Sequence, residues 1–132
     1  MVSRYHELYA AWQHDPEGFW ADAARAIDWH RPFDKVFDPD RGVYGRWFAG
    51  ATCNTCHNAL DRHVAGGRAD QLALIHDSAM TGKVRKFTFA ELQHEVVALA
   101  SALRNQGVEK GDRVIIYMPM VPEAAIAMLA CA

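Results

Sequence analysis

A chain of 132 residues of which 51% are apolar suits one ordinary globular domain with a moderate core. Its 14 basic and 16 acidic residues are scattered and leave a net charge of −2, so there is no basic stripe to follow a phosphate backbone, and nucleic acid is set aside as a partner. The cysteine count is odd, the opening MVSRYHELYA lacks the features of an export signal, and the longest apolar run, Ala124 to Ala132, is about half of the ~18 residues that span a bilayer. The expectation is a reduced, cytoplasmic protein that does not enter a membrane.

Two short amphipathic helices open the chain. Tyr5, Leu8, Tyr9 and Trp12 recur at helical spacing. Asp15-Pro16-Glu17 then supplies an N-cap, a first-turn proline and an early acid, ahead of a stripe of Phe19, Trp20, Ala23, Ala24 and Ile27. Two helices this short cannot bury that much aromatic surface against each other, so the covered surface is expected in a larger body later in the chain. From Arg31 to Gly50 the periodicity gives way to Pro32, Pro39, Gly42, Gly45 and Gly50 interleaved with aromatics, which reads as an irregular strap pinned to a surface.

Farther on, Leu72, Leu74 and His76 alternate as in a strand, residues 78–83 have the composition of a turn, and Arg85 to Phe89 is β-prone, so a hairpin is expected. Thr88-Phe89-Ala90-Glu91 has the spacing of a capping box and opens a helix whose buried face is Leu92, Val96, Leu99 and Leu103. Gly107 suits the left-handed position of a Schellman ending, with Leu103 and Val108 as its apolar pair. After the turn at Lys110-Gly111-Asp112, Arg113 to Met118 reads as a strand apolar on both faces, and Pro122 and Glu123 start a last helix through Ile126 and Leu129. Helix, strand, helix is half of an α/β winding. The last helix is apolar nearly all round and has no cap, so the polypeptide is expected to be a truncated piece of something longer.

One stretch looks like chemistry. Cys53, Cys56 and His57 have the Cys-x-x-Cys-His spacing of c-type haem attachment. That use requires export and a cavity around a macrocycle, and neither is signalled. On a helix, Cys53, Cys56, Leu60 and Val64 form a single apolar stripe, so the two thiols read as small buried hydrophobes. A zinc site lacks a second ligand pair, since His63 lies on another part of the helix and His30 and His76 are isolated; a thioredoxin-like dithiol lacks the preceding buried strand. Asp61-Arg62-His63 resembles part of a charge relay but has no nucleophile, and Gly66-Gly67 and Gly107 to Gly111 are caps and turns rather than a phosphate cradle. No residue is assigned a catalytic, cofactor-binding or metal-binding role.

The order of DPEGFWADAARAIDW, RWFAGATCNTCHNALDRHV, FTFAELQHEV and GVEKGDRVIIYMPMVPEAAIAMLACA resembles the start of the AMP-forming acyl-CoA synthetases of the acetyl-CoA and propionyl-CoA type. Asn58-Ala59-Leu60-Asp61-Arg62-His63, Gly111-Asp112-Arg113-Val114 and Tyr117-Met118-Pro119-Met120 carry the resemblance, and Thr55-Cys56-His57-Asn58 with the short 77–83 turn is similar to the propionyl-CoA members. It implies an N-terminal cap over residues 1–60 and the first βα elements of an incomplete adenylate-forming domain over 61–132. It implies ATP, Mg²⁺, CoA and a short-chain carboxylate for the complete enzyme, with the rest of that enzyme as this chain's partner. The family's phosphate loop, adenine and Mg²⁺ motif, hinge, adenylation lysine and CoA-site stretch have no counterpart among these residues, so the chain alone is expected to bind no cofactor and to be inactive. Against this stand a freestanding interaction module that docks through its aromatic stripes and last helix, and a small haem or redox protein.

Overall fold

The computed structural model describes residues 3–132. They form two compact units, one ending at Asn54 and the other beginning at Thr55.

In the N-terminal unit, α1 (Tyr5–His14) runs into α2 (Pro16–Ala24) through Asp15, which ends one helix and caps the next. The Gly18 N–H donates to Asp15 Oδ1 at 2.9 Å, the cap that the Asp-Pro-Glu sequence implies. The strap is more regular than its composition suggests. Within it, β1 (Lys35–Asp38) and β2 (Arg46–Ala49) pair antiparallel, with Phe37 opposite Trp47. Prolines and glycines crowd the two four-residue strands and mask their alternation, yet the glycines make the reversal. Gly45 sits at φ +68° with the Phe37 ring where its Cβ would stand, so both conformation and space require glycine there.

The aromatics of the strap pack on one another and on α2. Phe37 and Trp47 have ring centroids 4.8 Å apart, Trp20 of α2 meets Trp47 at 6.4 Å, and Trp29, Phe33 and Phe48 form a second group. Trp29 donates its indole N–H to the Ala24 carbonyl at 2.9 Å, which closes the end of α2. Part of the surface expected under α2 is therefore this hairpin in the same unit. α1 stays largely bare, its Tyr5 ring stacked on Tyr9 and Tyr5 61% exposed.

The C-terminal unit starts with a helix over residues 55–68 that contains two π-helical turns, His57–Asp61 and Val64–Arg68. It begins later than the stripe reading requires. His30 and Arg31 N–H groups donate to the Thr52 carbonyl, and the Thr52 N–H donates to Arg31 at 2.9 Å. That bridge holds the chain extended through Thr52, so Cys53 precedes the helix and is exposed. Gly67 at φ +83° then breaks the helix.

The hairpin of β3 (Leu72–Ser78) and β4 (Lys83–Thr88) follows, with a bulge between Leu72 and Leu74. Next comes α3 (Phe89–Asn105), with both halves of its capping box made: the Glu91 N–H to Thr88 Oγ1 at 3.2 Å and the Thr88 N–H to Glu91 Oε2 at 2.8 Å. Its end is the Schellman arrangement read from Gly107, with the Val108 N–H donating to the Leu103 carbonyl and the Gly107 N–H to that of Arg104.

Residues 113–118 differ from expectation. They pair with no strand among the described residues, whose two sheets are the two hairpins. Alternation survives in the burial: Ile115 and Tyr117 are 91% and 99% exposed, while Ile116 between them is half-buried. A strand apolar on both faces becomes part of a sheet only where neighbours supply hydrogen bonds, and propensity cannot replace them.

α4 (Pro122–Cys131) packs on α3 and places Ile126 in a core with Leu60, Leu92 and Val96, flanked by Cys56, Leu74, Phe87, Phe89, Leu99 and Leu129. One face of the last helix is thus sheltered, while Met128 on another is exposed. Arg85 of β4 donates to Glu123 Oε1 at 2.6 Å and ties the hairpin to the start of α4. That hydrogen bond is the main reason the Glu123 carboxyl titrates below its ordinary value of 4.5. A carboxyl lowered in the folded state contributes stability above about pH 4.5 and loses it as pH falls through the folded value. The pair is half-exposed, so its contribution is within about 1 kcal/mol. Glu123→Gln should therefore lower the urea midpoint slightly at neutral pH and leave less acid dependence below pH 4.5; an unchanged acid limb would show that the ion pair contributes nothing.

Candidate functional site

Each residue that the sequence singles out has a definite place. Cys56 is the second residue of the 55–68 helix and packs half-buried against the core around Leu60. Burial pushes its thiol pKa up, and the negative charge of Asp61 adds to the effect. A cysteine that acts as nucleophile or thiolate ligand needs the opposite shift. The thiol behaves as a small core hydrophobe, and Cys53, exposed ahead of the helix, does not share that role. Cys56→Ala should accordingly cost about 1–2 kcal/mol through lost packing and leave the chemistry of any longer enzyme intact. Urea unfolding and turnover measured side by side check this, and a collapse of turnover with normal stability would contradict it.

Asp61 and His63 make separate contacts. Asp61 Oδ1 accepts from Gln93 Nε2 at 2.7 Å, which fastens the helix to α3. His63 lies at the next turn, its ring 5.1 Å from that of Phe89 and its Nδ1 3.2 Å from Arg68 Nη1. Arg68 also donates through Nε to Gln71 Oε1 at 2.7 Å and lies over the Phe89 ring. These contacts clamp the end of the helix onto the start of α3. The Gln93 and Arg68 partners have no signal in the sequence beyond the three-residue spacing of Arg68 and Gln71.

Two grooves of the N-terminal unit are open to solvent. One of about 480 Å³ is lined by His14, Asp15, Pro16, Glu17, Phe37 and Trp47, and Asp15 there is committed to capping α2. Another of about 380 Å³ contains Arg31, Lys35 and Arg41, each within 4 Å of a carboxylate, Arg31 of Asp34 and both Lys35 and Arg41 of Asp38. Among the described residues, no three His, Cys, Asp or Glu side chains are grouped to hold a metal ion, and no helix is long and apolar enough to cross a membrane.

The chain is similar to known proteins along almost its whole length. Residues 5–59 match the acetyl-coenzyme A synthetase N-terminus family, and residues 60–132 match the AMP-binding enzyme family. Propionate–CoA ligase of Salmonella typhimurium is 47% identical over 128 residues, which are 97% of this chain and 20% of that protein. Acetyl-coenzyme A synthetase of Methylobacterium radiotolerans is 46% identical over 134 residues, 98% of this chain and 20% of its own length. The structure of acetoacetyl-CoA synthetase from Streptomyces lividans superposes with a TM-score of 0.78 at 35% identity, covering 91% of this chain and 19% of that one. The chain spans about a fifth of the length of the curated relatives it matches. With more than half of its residues inside one of the two matched families, this chain belongs to the AMP-binding enzymes, corresponding to the N-terminal region of the acetyl- and propionyl-CoA synthetases.

Proposed function

We propose that this chain is the scaffold portion of a short-chain acyl-CoA synthetase. The complete enzyme would convert a carboxylate, ATP and CoA into acyl-CoA, AMP and pyrophosphate, with propionate favoured over acetate. Residues 1–60 would form the N-terminal cap and residues 61–132 the opening of the adenylate-forming domain. The observation that supports this most is identity of 46–47% along nearly the whole chain with enzymes named for propionate and acetate, of which it covers a fifth.

Activation by ATP replaces a poor leaving group, carboxylate oxygen, with a good one, AMP, which the CoA thiol then displaces. The residues present do not fit a role in those steps. Cys56 is tuned away from reactivity, Asp61 is bonded to Gln93, each cation of the smaller groove lies within 4 Å of an Asp34 or Asp38 carboxylate, and no described acidic cluster suits Mg²⁺. No step is therefore assigned to this chain, and it would not catalyse the reaction alone. Its contribution would be to hold α3, α4 and the 113–118 segment where the rest of the domain is built. Three unpaired cysteines suit the reducing cytoplasm.

Isotope exchange between ATP and pyrophosphate tests the reading. The 132 residues should give none above blank with either acid. A polypeptide continued through its natural downstream codons to the length of the relatives should exchange, with a higher kcat/KM for propionate than for acetate. Exchange by the 132 residues alone would overturn the scaffold role, and preference for acetate would overturn the substrate assignment. The bare aromatic face of α1 favours a second reading, a module that binds another protein. That reading requires a single, monomeric, cooperatively folded species from the 132 residues, without the self-association expected of an exposed apolar strand.

A further inference from the structure

We draw no further inference here: the strongest candidate, the extended apolar segment of residues 113–118 with the exposed side chains of Ile115 and Tyr117, is the surface that the proposed function already gives to the remainder of a longer enzyme, and nothing in the structure shows what else covers it.

Discussion

Leu60→Ala should destabilise the C-terminal unit by about 3 kcal/mol, within the 2–5 kcal/mol range of buried leucine truncations. Leu60 is 1% exposed and is the one large side chain among the described residues that is fully enclosed. It stands where three elements meet: Leu92 and Val96 from α3 and Ile126 from α4 close around it. The cavity cannot collapse easily, because the π-helical turn carrying Leu60 is fixed by the Asp61–Gln93 bond on one side and by packed Cys56 on the other. A unit of this size has a total stability of only several kcal/mol, so the variant should be largely unfolded at moderate urea. Leu60→Met conserves volume and should cost under about 1.5 kcal/mol, which separates the cavity from a general intolerance of change. Urea titration followed by far-ultraviolet circular dichroism measures both. A loss below 1 kcal/mol for the alanine variant would place the core elsewhere.

What could be read from sequence was what short segments determine by themselves. The α3 helix was legible at both ends because Thr88 and Glu91 lie three residues apart and Gly107 is the residue a left-handed ending selects. The 72–88 hairpin was legible from alternation and its turn. By contrast, β1 and β2 are only four residues each, and their pairing rests on positive-φ glycines whose density suggests irregular chain. The π-helical turns stretch the 3.6-residue stripe on which the reading of Cys53 to Val64 depends, and the bridge at Thr52 delays the helix past Cys53. Two side-chain ties, Gln93 to Asp61 and Arg85 to Glu123, join residues 32 and 38 positions apart, beyond the reach of any local pattern. The candidate site followed the same rule. Cys56 took its hydrophobic place because its neighbours in the stripe are apolar, whereas the partners of Asp61 and His63 come from elements farther along the chain.

Ile115→Asp should have opposite consequences in the short and the long polypeptide. In this chain Ile115 is 91% exposed, so a carboxylate there stays in water and stability should change by no more than about 0.5 kcal/mol. The variant should also self-associate less than the parent, because a charge now interrupts a bare, unpaired apolar edge. If residues 113–118 become an inner strand when the remainder of the proposed enzyme is present, the same carboxylate must leave water with no partner, at a cost of about 4 kcal/mol or more. Ile115→Val keeps the strand and removes one methylene, and should cost about 1 kcal/mol in the long form and almost nothing in the short one. Urea unfolding of both variants in both lengths supplies the four stability measurements, and sedimentation velocity of the short Ile115→Asp variant against its parent reports the self-association. Equal and small effects of Ile115→Asp in both lengths would mean that this face stays in water in the complete protein. A sheet built on the 113–118 segment would then be ruled out, because an inner strand apolar on both faces cannot hold an unpaired carboxylate without a penalty.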